Sequence, residues 1–319
     1  MMFKKVAASV LLIVFVICCS AFVINNPTYV QKQKLKRIVI DAGHGGSDFG
    51  ASGRYSHEKD ISLAVALALE KEINAQIPDV EVYMTRTTDV FDRVTEKANK
   101  ANAAKGDLFI SIHCNDAGPI RHTEFIGYKT ETYYKGKGKN KKKYTRKVKQ
   151  YRTYTTPNPA KGTETFIWGL NKTDAKEKAL RDHEDLFLDS ISAKELQDFD
   201  PNDPEKAIIY NIKTKQYFDR SARLALTVEE EFKKTGRPSR QAQQRGIGIW
   251  VLQAVAMPAI LVETGFLSNQ EEEDYLNSPS GQKEIAEVIT NAVKRYKYTL
   301  ETKGINPGSM NTEIVDSKK

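Results

Sequence analysis

Four residues of this chain have the types and settings for hydrolysis at a metal ion: His44, Glu58, His113 and Glu263. His44 lies in Asp41-Ala42-Gly43-His44-Gly45-Gly46, where glycines on both sides let the chain turn sharply and approach a ligand closely. Glu58 sits just before a helical pattern, and His113 closes the run Ser111-Ile112-His113. Two histidines and a carboxylate from separate elements make a zinc site with a fourth position open, and an open position can activate water. Glu263 ends another apolar run, where a carboxylate could take a proton from that water and pass it to a leaving amine. Each residue also has a plainer counterpart. A single histidine is more often a hydrogen-bonded packing residue, and a glutamate at a strand end is more often a solvated rim residue. No short HExxH spacing ties the ligands together, so residue types and spacing leave both counterparts open.

Such a site needs elements that bring distant residues to one edge. Strands are expected at Arg37 to Asp41, Val80 to Arg86, Asp107 to His113, Phe125 to Lys129, Thr163 to Leu170 and Pro258 to Glu263. Ile38-Val39-Ile40 and Leu108-Phe109-Ile110 are continuous apolar runs, as in strands covered on both faces. Helical spacing of Ile61, Val65, Ala68, Leu69 and Ile73 predicts a helix from Asp60 to Ile77, stopped by Pro78. Further helices are expected at Phe91 to Lys105, Ser221 to Lys234 and Ser280 to Tyr298. The alternation predicts one α/β domain: a twisted, mostly parallel sheet of about six strands flanked by helices. In open sheets of this kind ligand sites lie at the carboxyl ends of strands, where His44, His113 and Glu263 fall.

The chain has 319 residues, ample for one large domain. Residues 1–21 read as a cleaved signal peptide: Lys4 and Lys5 precede an apolar run from Val6 to Ile17, followed by small residues at Cys19-Ser20-Ala21. Export to the periplasm or cell envelope is the expectation, with no transmembrane segment left after cleavage. A lipid anchor at Cys18 or Cys19 competes with this reading, although Ile17 and Cys18 are poor residues to precede one. Cys114 is then the single thiol of the mature chain, so no internal disulfide is expected. Net charge is +8, or +6 without Lys4 and Lys5, which favours an anionic partner. For an exported protein that partner is an envelope polymer or lipid, and nucleic acid is not expected.

Five strings occur in order: IVIDAGHGGSDFGA at 38–51, EKDISLAVALALEKEI at 58–73, TRTTDVFDRVTEKAN at 85–99, DLFISIHCNDA at 107–117 and PAILVETGFLSN at 258–269. Together they closely resemble the zinc-dependent N-acetylmuramoyl-L-alanine amidases of the amidase 3 family, over about residues 36 to 298. The resemblance implies a six-stranded sheet between helices and Zn2+ held by His44, Glu58 and His113. It also implies catalysis assisted by Glu263, and peptidoglycan as substrate, cut at the amide between the lactyl group of N-acetylmuramic acid and L-alanine. Cell-wall remodelling or daughter-cell separation would be its setting. Rival readings are a zinc peptidase cutting within the stem peptide and a catalytically silent wall-binding protein. Cys114 stands where the family commonly has alanine; strand alternation points it away from His113, as a packed thiol. His57, beside Glu58, is expected to be an exposed neighbour rather than a ligand.

On this reading residues 22–35 are a linker, 36–298 the amidase domain and 299–319 a disordered tail. Two insertions interrupt the domain. One, basic, spans 129–162; between Lys129 and Arg152 it carries eleven Lys or Arg against one acid, Glu131, with interleaved tyrosines. It reads either as a contact for anionic envelope polymer or as a disordered solubilising loop. The other, acidic, spans 174–205, where many family members carry a helix over the active site. That placement suggests a self-inhibiting segment released by an activator protein, with Glu184 as the blocking fourth ligand. The plainer alternative is a solvated surface insertion.

Overall fold

The structure, a computed structural model, describes residues 33–183, 204–245, 249–305 and 315–316. Its strands, in chain order, are β1 (Arg37–Ala42), β2 (Glu81–Met84), β3 (Leu108–Asn115), β4 (Ile120–Lys135), β5 (Lys142–Thr156), β6 (Thr163–Trp168), β7 (Ser239–Arg245), β8 (Ala259–Phe266) and β9 (Val315–Asp316). The main sheet has the order β2-β1-β3-β8-β6-β7, with the two-residue β9 pairing at the β7 edge. Strands β2, β1, β3 and β8 are mutually parallel; β6 runs antiparallel to β8, and β7 parallel to β6. This is the mostly parallel sheet that the alternation predicted.

The apolar runs occupy its centre. Ile38, Val39, Ile40, Leu108, Phe109 and Ile110 are fully buried, and all of β8 is buried. Each such side chain contributes roughly 1.5–3 kcal/mol by leaving water. Helices cover the sheet: α1 (Glu58–Gln76), α2 (Val94–Ala103), α3 (Thr173–Arg181), α4 (Pro204–Lys234), α5 (Trp250–Ala254), α6 (Gln270–Asn277) and α7 (Pro279–Tyr298). Helix α1 buries Ile61, Val65, Leu69 and Ile73, the stripe that its spacing announced. Its first turn carries Glu58 and Asp60, which suits the positive end of the helix dipole. Helix α7 starts at a Ser278 cap whose hydroxyl accepts the Gly281 N–H at 3.0 Å, with Pro279 in its first turn.

Four expectations change. The run Phe125 to Lys129 is not a strand of the main sheet but part of β4, which pairs with β5 in a separate antiparallel ribbon. The basic insertion is therefore ordered rather than a disordered loop. The sheet instead gains β7, Ser-Arg-Gln-Ala-Gln-Gln-Arg, whose polar composition hides a strand near the sheet edge. Order also continues past residue 298: a π-turn spans Thr299–Lys303, and Leu300 and Ile305 are buried.

The acidic insertion is not all surface. Helix α3 buries Lys176, Ala179 and Leu180. The Lys176 ammonium donates to the carbonyls of Leu252, Val255 and Met257 at 2.6–2.9 Å and lies 4.6 Å from the Trp168 ring centroid. Residues 184–203, and with them Glu184, lie outside the described residues, as do the expected signal peptide and lipid-anchor cysteines. Among the described residues no helix is long and apolar enough to cross a membrane.

Candidate metal centre

The loop after β1 is bent to present His44. His44 itself takes φ +56°, a conformation most side chains avoid, and Gly45 and Asp48 exchange two backbone hydrogen bonds of 3.0 Å that close the turn. Two glycines leave the space the site needs. A Cβ on Gly43 would sit 2.5 Å from the His113 ring, and one on Gly50 would sit 2.5 Å from Glu58 Oε2 at φ +64°. Arg86 locks the loop from below: it donates to the carbonyls of Ala42, Gly43, Lys59 and Thr88 at 2.8–3.2 Å. Asp41, at the end of β1, accepts from Thr85 Oγ1, Ser111 Oγ and Lys97 Nζ at 2.6–3.0 Å. Burial opposes its charge, but Lys97 and the two hydroxyls outweigh it and hold the carboxyl below its ordinary value.

Glu58, at the head of α1, bridges the two histidines. Its Oε1 lies 2.8 Å from His113 Nδ1 and its Oε2 3.1 Å from His44 Nε2. The same carboxylate accepts the backbone N–H of Cys114 at 3.0 Å and of Ala51 at 2.8 Å. Burial disfavours its charge, yet the histidines reverse this and keep it ionised far below the usual carboxylate range. His44 Nδ1 is 2.8 Å from Asp48 Oδ2. Burial lowers the His44 pKa, and Glu58 and Asp48 more than offset that, raising it to about 9.

The donor set fits a metal ion. One donor atom from each of His44, Glu58 and His113 lies within 4.8 Å of the others, a spread that bonds of about 2 Å could close with small movements. A carboxylate behind the distal nitrogen, as Asp48 is behind His44, is the usual way to orient a ligating imidazole. Residues separated by 14 and 55 positions are thus brought together. Glu263 joins them from β8: its Cα is the register partner of His113. It is buried, and its Oε2 has no hydrogen-bond partner among the described residues. Burial, the main cause, pushes its pKa up to about 7, with Glu58 adding to the rise and His113 opposing it. A buried, unpartnered carboxyl poised near neutrality beside a metal-type cluster is the profile of a general acid and base.

With this geometry, residues 38–295 match the profile of the Amidase_3 family, described as N-acetylmuramoyl-L-alanine amidase. The chain belongs to this family. It is 29% identical over 261 residues to the N-acetylmuramoyl-L-alanine amidase AmiC of Escherichia coli O6:H1, covering 81% of this chain and 52% of that protein. It is 24% identical over 270 residues to AmiA of Salmonella typhimurium, covering 83% of this chain and 78% of that one. The chain spans about half the length of the E. coli relative. A solved N-acetylmuramoyl-L-alanine amidase from Clostridium difficile 630 superposes with a TM-score of 0.52 at 23% identity, covering 85% of this chain and all of that one. The Ami1 amidase of Mycobacterium smegmatis superposes at 0.51 and 14% identity, over 84% of this chain and 100% of its own. Both share the fold.

Other sequence expectations within this amidase domain meet mixed outcomes. Cys114 is a buried free thiol, its Sγ 3.4 Å from Thr264 Oγ1, and burial pushes it well above its ordinary pKa. His57 stays outside the metal-type cluster, but it is half-buried rather than exposed: Nδ1 is 3.1 Å from Ser52 Oγ and the ring packs on Phe49. Sequence reasoning missed Asp48, Arg86 and the pair Asp41–Lys97, which hold other residues of the site and carry no spacing signal. It also missed Glu164 of β6, the register partner of Glu263, which accepts from Asn115 Nδ2 at 2.9 Å and from Arg240. Its signal would have been an acid between two threonines at the start of a strand that ends in Phe-Ile-Trp.

Proposed function

We propose that this chain is an exported, zinc-dependent peptidoglycan hydrolase that cleaves the amide between the lactyl group of N-acetylmuramic acid and L-alanine of the stem peptide. The observation that carries this reading is Glu263, buried and unpartnered, in register with His113 beside the His44–Glu58–His113 cluster. Family membership supplies the bond, and the donor set of two imidazoles and one carboxylate supplies the preference for zinc. When bound, the ion would provide Lewis acidity toward the amide carbonyl and toward water. The chain's own residues do the rest. Glu58 stays ionised and fixes both imidazoles, and Asp48 orients His44. Glu263 takes a proton from the attacking water and delivers it to the departing alanine nitrogen. The Arg86 network keeps the His44 loop from relaxing, so the ligands meet the ion in place.

Residues 1–21 are read as its signal peptide, and wall remodelling or cell separation as its setting. Control by an activator, with Glu184 covering the fourth position, remains part of the proposal. Deleting the whole acidic insertion would also remove Lys176, whose ammonium holds three core carbonyls. A deletion confined to 184–203 is the better variant, and a rise in basal activity is the result expected. The function itself is tested by digesting purified peptidoglycan with and without a chelator and weighing the fragments. Release of free stem peptides beginning at L-alanine, abolished by chelation, is expected. Fragments cut inside the stem with the lactyl link intact would instead assign a peptidase.

A further inference from the structure

The β4–β5 ribbon leaves the sheet at the metal-type cluster and returns to it there. It departs after Asn115, two residues beyond His113, and rejoins at β6, whose Glu164 is the register partner of Glu263. Its root is fastened to the rim: Ala117 N–H donates to Ser268 Oγ at 3.1 Å, and Gly162 N–H to Glu272 at 2.9 Å. With fifteen to sixteen residues per strand it extends roughly 50 Å beyond that edge.

Register and alternation divide its residues between two unlike faces. One face carries the ribbon's carboxylates, each paired with an arginine, together with Lys129, Lys135 and Lys142. Glu131 pairs with Arg146 at 2.9 Å and Glu124 with Arg152 at 2.7 Å. Tyr133 stacks on Tyr144 and His122 on Tyr154, with ring centroids 5.6 and 5.0 Å apart. The β-bulge between Phe125 and Gly127 carries the alternation onward, so the other face holds Arg121, Lys143, Lys147 and Lys149 and no carboxylate. Between those cations stand Phe125, Tyr128, Tyr134 and Tyr151, 47–59% exposed. The remaining positions of that face are threonines, in cross-strand pairs such as Thr132–Thr145 and Thr123–Thr153.

We propose that this carboxylate-free face is a docking surface for the glycan strand of the substrate, gripping the polymer next to the bond being cut. The inference rests on the reading of the site as peptidoglycan-cleaving. Three features select this occupant. The cations are spread along the ribbon, Lys147 roughly 7 Å from Lys149 and roughly 13 Å from Lys143 along one strand, which matches charges carried at intervals on a linear chain rather than one compact anion. Flat aromatic faces between them suit sugar rings, while the cations suit the carboxylates of the stem peptides. And because both ends of the ribbon are rooted between His113 and Glu164, a strand lying along it is continuous with the strand entering the site. A membrane surface would call for aromatic residues gathered at the tip, whereas here they run the length of the face, from Phe125 and Tyr151 in the half nearer the root to Tyr134 near the turn.

Two triple variants of the full chain remove equal charge from the two faces. K143Q/K147Q/K149Q strips the carboxylate-free face, and K129Q/K135Q/K142Q strips the carboxylate-bearing one. A third variant, Y128S/Y151S, removes rings only. Each is tested for cosedimentation with sacculi freed of covalently attached anionic polymers, and for turnover of a soluble muramyl-peptide fragment. We expect the first and third variants to lose about tenfold or more in sacculus binding and the second less than about twofold. All three should turn over the fragment as the parent does. Equal weakening by the two charge variants, or no weakening by either, would overturn the proposal. So would a variant that keeps sacculus binding but loses binding to phosphatidylglycerol vesicles. If the parent chain cleaves neither substrate, the functional reading fails instead, while the contrast between faces still decides the ribbon.

Discussion

At the ends of β1 and β3 nearly every polar group is held by a distant part of the chain, whereas the ribbon leaving the same edge is held mainly by pairs between its own strands. Glu58 alone meets two imidazoles and two backbone N–H groups, and Arg86 meets four carbonyls. In the ribbon the ion pairs are solvent-facing and the rings touch only their neighbours. The difference separates two ways of using a strand end. One holds the groups at the strand ends through several partners each; the other offers a long surface at little cost to the fold. Perturbing the first should damage chemistry and stability, and perturbing the second should damage polymer recognition alone.

The largest effect is expected at Glu263. Glu263→Gln keeps the size of the side chain but cannot take a proton, so turnover should fall about a thousandfold or more. Zinc content measured on the purified protein should be unchanged, because Glu263 lies outside the His44–Glu58–His113 donor set. Near-normal turnover in this variant would remove Glu263 from the mechanism.

The sequence already singles that residue out. His44, Glu58, His113 and Glu263 stand in strings whose order is recognisable, and the continuous apolar runs of β1, β3 and β8 show which strand ends must meet. What supports them was not legible. Arg86 acts by donating to carbonyls, which no residue type announces. Lys176 sits in a charged stretch that resembles a solvated face, yet three carbonyls and the Trp168 ring hold it in the core. Strand β7 failed the hydrophobic test because it lies near the sheet edge, where polar residues suffice. The ribbon failed it for another reason: its alternating Tyr, Thr and Val favour strands, but the lysines between them read as disorder.

A smaller loss is expected at Arg86. Arg86→Met would leave the carbonyls of Ala42, Gly43 and Lys59 without their donor and should cost about 3 kcal/mol in urea unfolding. The His44 loop should loosen with it, so zinc affinity by competition with a chelator should drop while Glu263→Gln retains it. Equal zinc affinity in the two variants would separate the Arg86 network from the site.

Smaller again is the pH dependence that Asp41 contributes. Its folded pKa lies below the ordinary 3.8, so the unfolded chain binds the proton first. The stabilisation is therefore complete above about pH 4 and is lost as pH falls through the folded value. Unfolding measured at about pH 5 and about pH 3 should show a steeper acid loss in the parent than in Asp41→Asn. Lys97, buried against the same carboxylate, makes Asp41→Asn less stable than the parent at the higher pH. Identical acid slopes would mean that other carboxylates carry the effect.

The smallest stability change should come from the ribbon. The Glu131–Arg146 pair is 41% and 64% exposed, so its attraction is screened by water and offset by the ordering of two long side chains. Glu131→Gln should shift the unfolding free energy by less than about 1 kcal/mol. Turnover of a soluble fragment should not change, because the ribbon reaches the metal-type cluster only through its root. A loss of several kcal/mol would mean that the two regions fold as one cooperative unit, and the division of labour between edge and ribbon would fall with it.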